Sequence, residues 1–530
     1  MSDTSDTTRH KITRRSAGLG ALGLATAMSD PTRADAPTSA DPVAQVRAIL
    51  PDLEAYVRKG MAEWHVPGVA LGVIVGDTVV LANGYGVRSS QGSEPVDART
   101  LFQIGSTTKA FCAATEAIMV DQGHMKWSDL VIDHDPDFRL FDFWVTREFR
   151  IFDLLAQRSG LSPYVLDLMW LLGFSPEARV AGLRRVRAVS SFRTTFAYQN
   201  ILHLVAGRIV ARHAGTKDWP EALHRLILEP LGMADTNTSV AALLTAANAA
   251  TGHVWFEGRT WQPPVLPEFE NVGPAGAMNS SVRDLIPWLR LQIGRGTVDG
   301  KRLISEAALT ETWRPRVDIP EAPGKPIEFP TVWQAYASGW IFRLTAGGRC
   351  IWHNGGTGLF RSHIGFLPDR QVGFVMLSNE GTNNLVDAAA LWFYDRLLGN
   401  PAKDYSAEML SDAHQREKSQ AAAARKRPEM AAAPAPLEVY AGAYHSEILQ
   451  GADVSVQGDE LRLQFKTVDK TWRLRPWNGD AFVLEPADAT YAEVFATSDP
   501  QFVLFRRNSA GEATDLVFEG ADLFMPRRTG

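Results

Sequence analysis

Strand-like apolar stretches stand at both ends of the first 400 residues, with a long helix-patterned region between them. Val69-Ala70-Leu71-Gly72-Val73-Ile74-Val75, a Gly76-Asp77 turn and Thr78-Val79-Val80-Leu81-Ala82 read as a hairpin. It follows an amphipathic helix from Val43 to Trp64 that Pro67-Gly68 stops. From about Ile151 to Gly296 helical patterns dominate, including Glu221 to Leu228 and a capped helix, Leu285 to Ile293, behind Asn279–Asp284. Strands return with Ala337–Phe342, Cys350–His353, Ser362–Leu367 and Val372–Leu377, and a helix from Leu385 to Leu398 follows. This order predicts an α/β fold of the α+β kind: one antiparallel sheet closed by distant segments, flanked by helices, with an all-α subdomain inserted. A site at the sheet–helix junction then draws residues from remote parts of the chain.

The character changes past Asn400. Residues 401–436 combine a polar, helix-prone stretch (Ser406 to Arg427) with an Ala/Pro-rich linker (Met430 to Pro436). From 437 to 530 short alternating runs recur between turns: Ala452–Val456, Leu461–Phe465, Phe482–Leu484, Phe502–Phe505 and Leu516–Phe518. That spacing suits a small antiparallel β-barrel or sandwich. At the other end, Thr13-Arg14-Arg15-Ser16, the uncharged stretch Ala17–Met28 and Ala34-Asp35-Ala36 read as a twin-arginine export signal over residues 1–36. The expectation is a periplasmic or secreted protein whose main domain spans 37–400, with no membrane helix in the mature chain.

With 54 basic and 60 acidic residues, the net charge is −6 and no basic face is concentrated, so nucleic acid is not an expected partner. The two cysteines, Cys112 and Cys350, are too few for a disulfide framework or a zinc cluster. They read as buried free thiols, a single bridge being the alternative in an exported protein.

The chemistry concentrates in Gly105-Ser106-Thr107-Thr108-Lys109, which opens an apolar helical run. Ser106 and Lys109 then lie one turn apart on one face, where the amine can take the hydroxyl proton and the helix N-terminus favours developing negative charge. Two further clusters stand at the edges of predicted elements. Tyr198-Gln199-Asn200 opens a helix, where Asn200 alone reads as a cap. His353-Asn354-Gly355-Gly356 ends a strand, where a lone histidine is ordinarily a satisfied polar residue.

In this order, Ser-x-x-Lys, Tyr-x-Asn and His-x-Gly resemble the serine β-lactamase-like and penicillin-binding hydrolases, in the branch of class C β-lactamases, D-stereospecific peptidases and esterases. Leu154–Leu161, Pro230–Met233 and Pro274–Met278 extend the resemblance, which runs from about Val43 to Leu398. The tail from Leu437 resembles the lipocalin-like barrel carried by some of these enzymes. The resemblance implies Ser106 as nucleophile and Lys109 as base, with or without Tyr198, the first proton acceptor being left open. It also implies Asn200 as a partner of Lys109 and substrate, and the backbone N–H groups of Ser106 and Gly356, beside Gly355, as an oxyanion hole. No cofactor or metal is implied. The substrate expected is a small peptide, amide or ester. Amide or peptide hydrolysis is favoured, on short linear or D-residue-containing peptides such as linearised microcystin-type ones. A carboxylesterase, a class C-like β-lactamase and an acylated sensor without turnover are the alternatives. Two positions depart from the pattern. His353 replaces a lysine, so a charge titrating near neutrality is expected there, with Arg361 a candidate for the missing carboxylate contact. Gln157 stands where relatives commonly carry histidine, and nothing in the sequence accounts for it.

Overall fold

The computed structural model describes residues 41–320, 330–423, 432–497, 500–520 and 523–528. The export-signal segment, the end of the helix-prone stretch and the start of the Ala/Pro linker lie outside the described residues. Helix α1 (Pro42–Glu63) is capped by Asp41, whose side chain accepts from the Val43 N–H at 3.0 Å. It buries Val46, Leu50, Leu53, Val57 and Gly60, the three-and-four spacing of one helical face.

The hairpin of β1 (Gly68–Val75) and β2 (Thr78–Gly86) is joined antiparallel to strands from the other end of the domain. These are β3 (Val317–Asp318), β4 (Thr331–Tyr336), β5 (Ile341–Thr345), β6 (Gly348–Gly356), β7 (Arg361–Leu367) and β8 (Val372–Ser378). Among the described residues the sheet runs β2-β1-β8-β7-β6-β5-β4-β3. Val69 pairs with Ser378 and Val75 with Val372, so the closure by distant segments is as expected. Every residue of β1 is buried because both faces are covered. Val69, Leu71, Val73 and Val75 pack on α1 and α5 (Leu385–Leu398); Ala70 and Ile74 face the opposite core. The alternation is the period-two geometry of a strand.

That opposite core contains the inserted helices. Helix α2 (Thr108–Asp121) is buried from Thr108 to Met119 and packs against α3 (Ile201–Ala214) and α4 (Val282–Ile293). Phe111 of α2 stacks on Trp288 of α4 with ring centroids 3.9 Å apart. Cys112 lies in this core and Cys350 in the one across the sheet; both are free thiols.

Two local expectations are corrected. Ala337–Gly339 is not strand: the Ala337 N–H donates to the Trp340 carbonyl, and Gly339 has φ +71°, so β4 and β5 are separate strands joined by a turn. A Cβ on Gly339 would stand 2.4 Å from the Lys109 carbonyl oxygen, so this turn is pressed against the first turn of α2. The helix expected over Glu221–Leu228 is interrupted, with a π-helical turn at His224–Leu228 after Trp219–Leu223.

Helix α6 (Tyr405–Ala423) leads towards the C-terminal strands β9 (Gly442–Ser446), β10 (Gln450–Gln457), β11 (Glu460–Phe465), β12 (Thr471–Asn478), β13 (Ala481–Pro486), β14 (Gln501–Arg507), β15 (Ala513–Phe518) and β16 (Leu523–Pro526). Neighbours in sequence pair antiparallel, and a Tyr444–Arg527 bridge brings the first and last strands together into a nearly closed up-and-down barrel. Strands β9, β12 and β16 were not expected. In β12 the polar positions Arg473 and Arg475 are neutralised by Glu460 and Glu485 on its two neighbours, which masks its apolar alternation. The barrel packs on the inserted helices through Phe174 against Phe465 (5.1 Å between centroids), Arg185–Glu447 (2.9 Å) and Lys470–Glu268 (2.8 Å). No helix of the described residues is long and apolar enough to cross a membrane.

Candidate active site

The loop that carries Ser106 is a tight 3₁₀ turn, Gly105–Thr107, joined directly to α2. Gly105 has φ +51°, the left-handed region open to glycine, and a Cβ there would lie 2.8 Å from the Gly356 nitrogen. The end of β6 therefore sits against the Ser106 turn. Gly355 is as constrained: a Cβ would fall 2.0 Å from the Ile104 carbonyl oxygen, which accepts a 2.6 Å hydrogen bond from Ser362. These contacts bring the Gly356 backbone beside Ser106, as an oxyanion hole requires.

One turn along, the fully buried Lys109 Nζ lies 2.9 Å from Ser106 Oγ, 2.7 Å from Asn200 Oδ1 and 2.7 Å from the Ala275 carbonyl oxygen. A neutral amine has two N–H donors and one lone pair. Two of its neighbours can only accept, which directs the lone pair at the Ser106 hydroxyl. Burial pulls the Lys109 pKa down to about 7, against the opposing pull of Asp167. The same burial holds the Tyr198 phenol well above its ordinary value, against the opposing pull of Ser106. Lys109 Nζ is 4.8 Å from the centre of the Tyr198 ring. At neutral pH this pair thus offers a half-deprotonated amine and an intact phenol.

Asn200 occupies the N-cap position of α3 without capping it. Its side chain instead bridges, accepting from Lys109 and donating to Asp167 Oδ2 at 2.6 Å. Asp167 is held in turn by Arg179 (2.9 Å), which is wholly buried and also donates to the Asn271 carbonyl (2.9 Å). Asp167, Arg179 and the Ala275 carbonyl were not foreseen. Asp167 did leave a signal, a single acid in the apolar run Val165–Leu172, as did Ala275 in the quoted Pro274–Met278 segment.

Gln157 now has a physical account. With φ +56°, its amide accepts from the Gln199 N–H at 2.7 Å and donates to the Gln199 carbonyl at 3.0 Å. This two-point clasp, joined by Ser159 on Gln199 Oε1 at 2.7 Å, fixes the Tyr198–Asn200 segment.

His353 is corrected. The ring is buried, with Nδ1 2.6 Å from the Asn354 carbonyl oxygen and Nε2 3.0 Å from Tyr336 Oη. Burial and the nearby Lys109 lower its pKa to about 3, so it stays neutral and supplies no charge that titrates near pH 7. Nδ1–H donates to the carbonyl, which leaves Nε2 to accept from Tyr336, another residue sequence reasoning missed. Arg361 also turns from the expected role: its guanidinium donates to the Asn383 carbonyl (2.8 Å) and to Asn384 Oδ1. Among the described residues, no group of three or more His, Cys, Asp or Glu side chains could hold a metal ion.

A domain model described as "Domain of unknown function (DUF3471)" matches residues 426–527, the region of the barrel. Unguisins hydrolase ungD of Aspergillus violaceofuscus is 28% identical over 378 residues, 67% of this chain and 65% of that protein. The chain spans just under two thirds of the length of the first curated relatives it matches. The octameric penicillin-binding protein homologue from Pyrococcus abyssi superposes with a TM-score of 0.57 at 21% identity, over 90% of this chain and all of that one. SurE with D-Leu gives 0.52 at 20% identity, over 92% and 100%. Both share the fold. The model described as Beta-lactamase matches residues 53–398, the stretch that holds Ser106, Lys109, Tyr198, Asn200 and Gly356, and the chain therefore belongs to the Beta-lactamase family of serine hydrolases.

Proposed function

We propose that this protein hydrolyses amide or peptide bonds through an acyl-enzyme on Ser106, with Lys109 as the first proton acceptor. In this scheme the neutral amine takes the Ser106 proton as Oγ attacks the substrate carbonyl carbon. The N–H groups of Ser106 and Gly356 hold the oxyanion. On collapse the C–N bond breaks, and the leaving amine receives a proton from Tyr198, which Lys109 replenishes. Water then adds to the ester carbonyl, giving its proton to Lys109; the acid departs and Ser106 Oγ regains a hydrogen. The observation that carries the reading is Lys109 itself, an amine with a pKa of about 7 whose two pure acceptors leave its lone pair for Ser106.

Hydrolysis is favoured by the relative named a hydrolase of unguisins, and substrates with D-residues by the likeness to SurE with D-Leu. A neutral His353 and an engaged Arg361 offer no free cation for the carboxylate of a penicillin. We propose work outside the cytoplasm on the twin-arginine pattern alone. The test is a panel of chromogenic acetyl and butyryl esters and short L- and D-peptides, followed by intact mass. Peptide turnover supports the proposal. Turnover of esters alone replaces it with an esterase, and a stoichiometric mass gain without turnover with a sensor.

Because the active base is the uncharged amine, the acylation rate is expected to rise tenfold per pH unit below a midpoint near 7 and to level off above it. Stopped-flow acylation by a chromogenic ester checks this. Asp167→Asn removes the negative charge that favours protonated Lys109, so the midpoint moves to lower pH. The same change leaves Arg179 buried without an anionic partner, at a cost of about 3–5 kcal/mol in urea unfolding.

A further inference from the structure

Around Lys109 the hydrogen bonds close into a ring drawn from five separate segments of the chain. The amine meets Asn200 Oδ1 (2.7 Å), Asn200 donates to Asp167 Oδ2 (2.6 Å), and Arg179 donates through Nη2 to Asp167 Oδ1 (2.9 Å). Through Nη1, Arg179 also donates to the Asn271 carbonyl (2.9 Å). In the same Pro267–Ala275 segment, the Ala275 carbonyl returns to Lys109 at 2.7 Å. The stretch between those two carbonyls is stiff: Gly273 has φ +54°, and a Cβ on Gly207 of α3 would fall 2.4 Å from Pro274 Cγ. Arg179 thus holds both acceptors of Lys109, one through Asp167 and the other through Asn271.

Arg179 comes from a further helix, Pro176–Gly182, and is wholly buried. Its Nε–H has no partner among the described residues, so the hydrogen bonds of the guanidinium both go to the ring. A buried ion pair is often no more stabilising than apolar side chains of the same volume, so packing alone gives little reason for a cation here. Electrostatics gives one. Lys109 is faced by Asp167, Tyr198, His203, His353 and Cys112. Burial keeps both imidazoles, the phenol and the thiol uncharged near pH 7. The charges left are the Asp167 carboxylate and the Arg179 guanidinium bonded to it. An unpaired carboxylate there would hold a proton on the amine, and a paired one does so far less.

We propose that Arg179 is a positioning residue for the reaction: it fixes both acceptors of the Lys109 amine and neutralises Asp167, so that the amine stands uncharged with its lone pair on Ser106. This role rests on the reading of Lys109 as proton acceptor and extends the site to a guanidinium that acts through Asp167 and Asn271.

Two curves are measured against pH: stopped-flow acylation by a chromogenic ester, and the ε-carbon resonance of Lys109 in ¹³C-lysine-labelled protein, assigned by its loss in Lys109→Met. Arg179→Met should raise the midpoint of both by about one pH unit or more, opposite in sign to Asp167→Asn. Arg179→Lys, which keeps the charge, should bring both back towards about 7. Should Arg179→Met fail to fold, Asp167→Asn is compared with Asp167→Asn/Arg179→Met, where losing the cation should again raise the midpoint. An arginine that only packs would lower the rate at every pH and leave the Lys109 midpoint in place. That result, a midpoint moved downward, or one that lysine does not restore, overturns the proposal. If the Lys109 resonance shifts as expected while acylation ignores it, Arg179 keeps its role on the amine and the reading of Lys109 as base fails instead.

Discussion

Ser106→Ala is expected to abolish the covalent mass gain and to reduce turnover by about 10⁶, the scale on which loss of a nucleophile acts. The change removes one oxygen from a half-buried position and leaves the surrounding contacts standing. Lys109 keeps two acceptors, Asn200 Oδ1 and the Ala275 carbonyl, and the Gly355–Ile104–Ser362 contacts do not involve the serine side chain. Loss of one hydrogen bond is worth about 1 kcal/mol, so the thermal melt should move by only about 2–4 °C. A chemical loss without a structural one separates a nucleophile from a packing residue. Intact mass after incubation with a chromogenic ester, beside a melt, gives both numbers. Retained labelling would move the nucleophile to another side chain and end the scheme proposed here.

How far the sequence shows such a site depends on whether its parts are local. Ser106 and Lys109 share one helical turn, and spacing alone places them together. The closure of the sheet by distant segments was legible because strands stand at both ends of a helical middle, whereas which strands pair, β1 with β8, was not. Asn200 marks the limit of a local reading. Asparagine at a helix start reads as a cap; its pairing with Lys109 was expected only from the family resemblance, and Asp167 on the other side of its amide only the fold reveals. Asp167 and Arg179 are twelve residues apart on no common element, so no periodicity links them. His353 was misjudged on charge: an imidazole's ordinary pKa suggests a switch, whereas burial beside Tyr336 holds it neutral. The barrel strand β12 was hidden because its arginines are compensated across the strands, a pairing visible only once register is known.

Lys109→Ala is expected to slow acylation by about 10³ or more, since it deletes the general base. It also opens a buried space and strips a donor from both Asn200 Oδ1 and the Ala275 carbonyl, so a low rate alone does not identify the base. Chemical rescue does. A small primary amine such as methylamine fits the vacated space, can donate to both carbonyl oxygens and presents its lone pair to Ser106. Only the uncharged amine enters and serves, so the rescued rate should climb towards the ordinary amine range near ~10.4. In the intact protein the corresponding rise is at about 7, because burial has already removed most of the cost of deprotonation. Lys109→Met fills the same space with an unreactive chain and should be as slow as the alanine variant, but deaf to added amine. If methylamine restores neither variant, or both equally, the base is not Lys109. Tyr198, whose phenol burial keeps protonated, would then need another group to ionise it.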